Sequence, residues 1–447
     1  MTIEALRVAI AAGTADTVVL ALTDMQGRLQ GKRLHAPYFL DEVLAHGSEA
    51  CNYLLAVDVE MTTVGGYAIS GWDRGYGDFA MVPDMSTLRR LPWQPGTALV
   101  LADLAWLDGT PVAESPRQVL RRQLDLLNEE HGLRAYVGTE LEFVVHKDSY
   151  EDAARKGYRN LVPANQYNVD YSLLGTARVE PLLRRLRLDM AGAGLEPESA
   201  KGECNFGQHE IAFRYDQALV TADHHTIFKN GAKEIAAQDG CSITFMAKPN
   251  AREGSSCHIH FSLRTPQGEP VMAGAGGLSR RGEHVLAGML AATRELALLL
   301  APNINSYKRF QAASFAPTSL RWGRDNRTCA LRLVGDGPSL RIEHRVPGAD
   351  ANPYLAIAAL VAAARHGLSR ELPLEEEYAG NAYADSQAPR VPGTLRDALA
   401  AWRGSPFARE SFGDAVVDHY ARAAEVEIEA FDAAVTDWEM HRGYERL

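Results

Sequence analysis

Cysteine is scarce and unpatterned in this 447-residue chain: Cys51, Cys204, Cys241, Cys257 and Cys329 are widely scattered, odd in number, and form no Cys-x-x-Cys pair. That excludes a disulfide framework and a zinc knuckle, and it suits a reducing cytoplasm. No membrane-length apolar run is present. The longest candidate, Val285 to Leu300, is interrupted by Arg294 and Glu295 and reads as an amphipathic or core helix. The N-terminus lacks a basic leader, and Asp16 and Asp24 break its apolar stretch, so no signal peptide is expected. Net positive charge is also missing: at −11 the chain is a poor partner for a nucleic-acid backbone. There is no internal repeat, no Gly-x-x-x-x-Gly-Lys-[Ser/Thr] loop and no kinase motif set, so a bound nucleotide must be held in another way.

What is present is the composition of an ordinary globular protein, 46% hydrophobic and 23% charged. The length calls for a small and a large domain. Residues 1–105 alternate short β-rich runs with turn signals, such as Thr17–Thr23 followed by Asp24-Met25-Gln26-Gly27-Arg28. From 106 to 447 the pattern changes. Ser115-Pro116 starts a helix, with serine as N-cap and proline in the first turn. Strands are expected at 135–146, around 196–214, and at 242–247, 257–263, 328–334 and 339–346. Helices are expected at 179–193, 222–238, 282–300 and 353–367. Paired strands outnumber β-α-β alternation, which predicts an α+β fold.

Four acidic or imidazole clusters fall in the larger part. Glu140 and Glu142 lie two apart on an expected strand and therefore share a face. Like charges so placed persist on a solvated edge or around a cation. Glu203 and Glu210 flank a glycine-containing bend. His258 and His260 share a strand face, as do Arg341, Glu343 and Arg345. Each has an ordinary alternative, a hydrogen-bonded histidine pair or a surface ion-pair ladder. Together they form an oxygen-rich ligand set suited to Mg²⁺ or Mn²⁺ rather than structural Zn²⁺. Arg309, Arg327 and Arg332 add planar guanidinium groups that hold phosphate or carboxylate bidentately. Divalent metal with arginines points to phosphoryl transfer.

The ordered set Glu140-x-Glu142, Glu203…Gly207-Gln208-His209-Glu210, Gly254-Ser255-Ser256-Cys257-His258-x-His260-x-Ser262, Asn305-Ser306-Tyr307-Lys308-Arg309, Asn326-Arg327 and Arg341-x-Glu343-x-Arg345-x-Pro347…Asn352-Pro353 resembles the class I glutamine synthetase family. The likeness spans essentially the whole chain. It implies a small N-terminal β-grasp domain (1–105), a large catalytic domain (106–447), and a double-ring dodecamer with active sites between subunits. By resemblance, Glu142, Glu203 and Glu210 hold one metal ion, and Glu140, His258 and Glu343 a second. Arg327 and Arg332 match phosphate-binding arginines, Arg309 and Arg345 glutamate-binding ones, and Gly254 a backbone contact to glutamate. Ser262 and Arg341 match nucleotide contacts, with His260 on the same face. The implied chemistry activates the γ-carboxylate of glutamate with ATP, giving an acyl phosphate that an amine attacks.

Two departures bear on the amine. Family members that use ammonium carry a glutamate in the loop after Ser-Tyr-Lys-Arg; without gaps that position is Phe315. A phenyl ring takes no proton and offers only packing or a cation–π contact. The Asp-Gly-Ser-Ser stretch that supplies an ammonium-binding aspartate from a neighbouring subunit is also missing; Ala56–Thr63 stands there, with Asp58 and Glu60 as its only acids. Both changes favour the branch that joins glutamate to a primary amine such as a polyamine or ethanolamine. An ordinary ammonium-using synthetase and a non-catalytic binder on the same fold are the alternatives. The tyrosine-adenylylation motif of some members is absent as well, so that control is not expected.

Overall fold

The computed structural model describes all 447 residues. The first sheet contains β1 (Thr17–Thr23), β2 (Leu29–His35), β3 (Ser48–Cys51), β4 (Asp78–Arg90) and β5 (Thr97–Ala105) in the order β2-β1-β5-β4-β3. The central pair β1–β5 is parallel and its neighbours antiparallel. This is the β-grasp arrangement. The β1–β2 turn is built on Asp24, fully buried, whose carboxylate accepts from the amides of Gln26 and Arg28 and from Arg28 Nε. Gly27 is needed there: its φ is +80°, and a Cβ would sit 3.2 Å from Asn352 Cα. Asn352 in turn donates to the carbonyls of Asp24 and Met25, which ties the turn to the start of helix Pro353–Ser369.

The second sheet has nine strands. Its main path is β14 (Trp322–Arg324), β15 (Leu331–Val334), β16 (Arg341–His344), β11 (Cys257–Arg264), β6 (Arg134–His146), β8 (Gln208–Phe213) and β7 (Pro197–Gly202). Two short strands, β9 (Asp216–Gln217) and β10 (Ser242–Thr244), also pair with β6, and β12 (Ala273–Gly274) and β13 (Gly277–Leu278) make a separate hairpin. β6, the strand with the paired glutamates, is therefore central rather than an edge.

Alternation along β6 and β11 sets the two faces of this sheet. Val137, Leu141 and Phe143 of β6 and Cys257, Ile259, Phe261 and Leu263 of β11 are buried. Helix Ala218–Gln238 lies against this apolar side, where Thr221 Oγ1 donates to the Val137 carbonyl. Helix Pro353–Ser369, buried along most of its length, packs against helix Arg280–Ala292 and helix Pro116–His131. The contact with Arg280–Ala292 is backbone-close: a Cβ on Gly367 would lie 1.9 Å from the His284 carbonyl.

The expected helix at 282–300 is divided into Arg280–Ala292 and Ala297–Leu300. Thr293 Oγ1 bonds back to the Met289 carbonyl at 2.6 Å where the first segment ends, a side-chain competitor for the helical ladder. The helix expected at 222–238 starts at Ala218, and the strand expected at 242–247 stops at Thr244. No helix is long and apolar enough to cross a membrane.

Candidate active site

The opposite face of the sheet carries the polar residues, and strand register decides which of them meet. Across β6 and β8, Glu142 faces Glu210, and across β7 and β8, Lys201 faces Glu210. Across β6 and β11, His258 faces Glu140; across β11 and β16, His260 faces Glu343; across β15 and β16, Arg332 faces Glu343. Residues from six strands thus line a cleft of about 220 Å³ that contains Glu140, Glu142, Glu203, Glu210, His258 and Glu343.

Two acidic groups stand in it. Ligand atoms of Glu142, Glu203 and Glu210 lie within 4.8 Å of one another, and so do those of Glu140, His260 and Glu343. His258 belongs with the second group: its Nδ1 is 3.2 Å from Glu140 Oε2 and 3.5 Å from Glu343 Oε1. The two expected ligand sets are therefore brought together, with His260 closer to the second than its sequence position suggested.

Electrostatics differ between the groups. Burial pushes Glu142 up to about 7 and Glu210 up to about 8, with neighbouring carboxylates adding to both. Lys201 lies against this group, ion-paired with Glu203 and 3.9 Å from Glu210. A cationic side chain already standing among these oxygens shows that the group suits positive charge. Glu142 is fixed by Gln208 Nε2 and by the Ser256 amide, each at 2.9 Å.

In the second group, burial alone would raise Glu140, but hydrogen bonds from His258 and His260 outweigh it and hold the carboxyl well below its usual range. Burial likewise raises Glu343, while His258 and Arg345 draw it down. His258 itself is lowered to about 4 by burial and Arg345, so its ring is neutral near pH 7. With Nδ1 bonded to Glu140, its Nε2 is buried without a partner. It is Nδ1 that stands between the Glu140 and Glu343 carboxylates, and a neutral imidazole presenting that nitrogen without its proton completes, with the two carboxylates, a fitting donor set for a divalent cation.

The arginines divide by exposure. Arg327 is exposed and free of hydrogen bonds at the cleft wall. Arg332 donates to Glu343 Oε2 at 2.8 Å and to Asp325 at 3.0 Å. Arg345 pairs with Glu343 and donates to the Phe315 carbonyl at 3.2 Å, while its Nε has no partner. Arg309 does not line the cleft. It is 1% exposed, and it donates to the carbonyls of Val346 and Arg345 and to Ser256 Oγ behind the wall. Gly254 does line it; a Cβ there would stand 2.5 Å from the Ala247 carbonyl and 2.7 Å from Arg309 Cγ. Phe315 is at the cleft, 54% exposed with φ +58°. Asp58 is not in it: its carboxylate accepts from the amides of Glu60 and Thr62 and closes its own loop.

Ser262, His260 and Arg341 line a neighbouring cavity of about 440 Å³ that meets the acidic cleft at Glu140. Arg341 Nε donates to His260 Nδ1 at 3.1 Å, so His260 carries its proton on Nε2 and donates it to Glu140 Oε1 at 2.8 Å. Sequence reasoning missed the other walls of this cavity. Arg264 lies 5.1 Å from the Tyr136 ring and 5.7 Å from the Tyr215 ring and donates to the Tyr215 hydroxyl at 2.9 Å, and the two rings meet edge to face at 73°. Lys201 was missed too, although its place two residues before Glu203 was a usable signal. Nothing local marks Tyr215.

Comparison with known proteins agrees with this geometry. The profile described as "Glutamine synthetase, catalytic domain" matches residues 113–443. A gamma-glutamylethanolamide synthetase of Streptomyces coelicolor is 64% identical over 445 residues, covering 100% of this chain and 96% of that protein. A glutamate–isopropylamine ligase of a Pseudomonas species is 39% identical over 434 residues, covering 96% and 94%. Among solved structures, a GmaS/ADP complex superposes with a TM-score of 0.86 at 26% identity, covering 98% of this chain and 99% of that one. A central strand dividing two acidic groups, the register that assembles them and these full-length matches lead to one conclusion: the chain belongs to the glutamine synthetase family.

Proposed function

We propose that the protein is an ATP-dependent ligase that joins the γ-carboxylate of glutamate to a primary amine through a γ-glutamyl phosphate. Transfer of the terminal phosphoryl group of ATP to that carboxylate makes the acyl phosphate and ADP; the neutral amine nitrogen then attacks the carbonyl carbon, phosphate leaves, and the nitrogen gives up one proton to become the amide. The observation that carries this reading is the pairing of a complete acidic and arginine-lined cleft with Phe315 at the position where ammonium-using relatives have a carboxylate. The relative named for ethanolamide synthesis makes ethanolamine the first acceptor to test.

In this reading Glu142, Glu203 and Glu210 hold one Mg²⁺ or Mn²⁺ ion, and Glu140, His258 and Glu343 a second. The ions neutralise charge on the nucleotide and on the phosphoryl group in transfer. Arg327 and Arg332 hold phosphoryl oxygens, and Arg345 and Gly254 position glutamate. Arg309 acts one layer back, by fixing the carbonyls of Arg345 and Val346. Ser262, His260 and Arg341 serve the nucleotide in the second cavity, with its base beside Tyr215. Residues 1–105 and 106–447 are the two domains. Assembly as a dodecamer with sites between subunits, in the cytoplasm, completes the proposal.

The test is phosphate release from ATP with glutamate and a panel of amines: ammonium, ethanolamine, isopropylamine, diamines and polyamines. Faster release with an organic amine than with ammonium supports the ligase. Faster release with ammonium than with every organic amine would refute it.

A further inference from the structure

Seven carboxylates line the acidic cleft; five of them have hydrogen-bond or ionic partners, and a sixth is partly buried. Glu140 is bonded by two imidazoles, and Glu343 by Arg332 and Arg345. Glu142 is held by Gln208 and the Ser256 amide, while Glu203 and Glu210 share Lys201. Glu253 is half-buried, and its Oε2 is shut off from solvent without a partner. The seventh, Asp170, is different. It is exposed, it makes no ion pair, and the one hydrogen bond its carboxylate accepts comes from the Cys204 thiol at 3.6 Å.

Asp170 sits on the loop before helix Leu173–Thr176, next to Tyr171, whose φ of +54° turns the chain at the cleft. Its carboxylate comes within 4.8 Å of ligand atoms of Glu203 and Cys204. That trio is a poor metal site: one thiol with two carboxylates suits neither a hard oxygen-seeking ion nor a thiolate-rich zinc site. An unpaired negative charge at the rim, in the same cleft as the phenyl ring of Phe315, suits a small cation that carries carbon.

We propose that Asp170 binds the ammonium group of the acceptor amine, while Phe315 and Tyr171 flank its carbon skeleton. The inference rests on the ligase reading above and names how this chain recognises its acceptor with no carboxylate at position 315. Asp170 acts here through its charge: it concentrates and orients the alkylammonium, which gives up one proton to solvent before its nitrogen attacks the carbonyl carbon.

The test compares two nucleophiles in the full enzyme with glutamate, ATP and divalent metal. Ethanolamine is a cation at neutral pH, whereas hydroxylamine is uncharged and needs no counter-charge. Asp170→Asn should raise the KM for ethanolamine by about tenfold or more, the loss of one charge-assisted hydrogen bond. Its KM for hydroxylamine and for glutamate should stay within about twofold of the parent. Asp170→Glu should recover most of the ethanolamine KM. An unchanged ethanolamine KM in Asp170→Asn, or an equal rise for hydroxylamine, would overturn the assignment while leaving the ligase intact. A parent enzyme that releases no phosphate with either nucleophile would instead overturn the ligase reading, and this inference with it.

Discussion

Glu140 and Glu142 leave the same face of one strand yet answer to different partners. Glu140 is gripped by the rings of His258 and His260, and Glu142 by Gln208 and the Ser256 amide. Two like charges two residues apart are tolerable because each belongs to a separate group of ligands. Glu140→Ala should therefore cut ATP-dependent phosphate release by about 10²-fold or more, the scale for removing one group that supports transition-state charge. Its melting temperature should hardly fall, since the Glu142 group remains intact. Parent-like turnover in the mutant would contradict the assignment.

The raised carboxyls of Glu142 and Glu210 give the metal-free protein a pH signature. The folded chain keeps these protons into the neutral range, whereas the unfolded chain gives them up near 4.5. Their stabilising contribution is thus present at low pH and lost as the pH rises through about 7 and about 8. A bound divalent cation needs both groups ionised and removes that loss. Saturating Mg²⁺ or Mn²⁺ should raise the melting temperature by at least about 3 °C more at pH 8 than at pH 6. Equal shifts at the two pH values would argue against metal at these carboxylates.

Acid should destabilise the protein through a different set of groups, its buried histidines. Burial lowers His209 to about 4, and His344 and His419 to about 3. Below the ordinary histidine value of 6.5 the unfolded chain takes up protons at these rings and the folded chain does not. The stability they supply is present above that value and drains away as the pH falls towards 4 and 3. Proton uptake measured during unfolding at pH 5 should exceed that at pH 7.5. His419→Gln, if it folds, should flatten the difference.

Phe315 is the position most open to change. It is half exposed on a loop where both it and Ala313 have positive φ. Phe315→Glu should raise the ratio of ammonium to ethanolamine turnover by about tenfold, the effect of roughly 1.4 kcal/mol of differential binding. Competition between the two amines in one reaction reads that ratio directly. No change would mean the ring does not face the acceptor.

Arg117 ties the first sheet to helix Ala218–Gln238: from helix Pro116–His131 it reaches Asp84 of β4, Asp103 of β5 and Asp223 of that helix. Tyr354 adds a 2.7 Å bond to Asp223. Arg117 is 3% exposed, so truncation strands Asp223 in the interior. Arg117→Ala should cost about 3–5 kcal/mol of stability in urea unfolding. A loss below about 1 kcal/mol would indicate that water replaces the guanidinium.

Most of the site was legible because its ligands stand on strands. Period-two alternation put Glu140 with Glu142 and His258 with His260 on shared faces before any partner strand was known. Register was not legible. That His260 faces Glu343, and that Lys201 faces Glu210, depends on pairings between segments far apart in the chain. Arg309 misled for a related reason. A motif says that a guanidinium is needed near the site, but not that two carbonyls and a serine hydroxyl already occupy it. Where the expected helix at 282–300 divides, the Thr293 hydroxyl and amide share the Met289 carbonyl, a local detail that a hydrophobic pattern does not register.

The placement of β6 at the centre of its sheet separates what can drift from what cannot. The acids and imidazoles of the two groups, apart from Glu203 just beyond β7, stand on paired strands, so shifting one moves its neighbours. Asp170 and Phe315, by contrast, hang from loops that touch the same cleft from outside the ladder. An engineer who wants this scaffold to take a different amine can therefore leave the strands alone and build libraries at the two loops. If Asp170 and Phe315 meet the acceptor as proposed, reaction and acceptor preference are stored in different parts of the chain and can be rewritten separately.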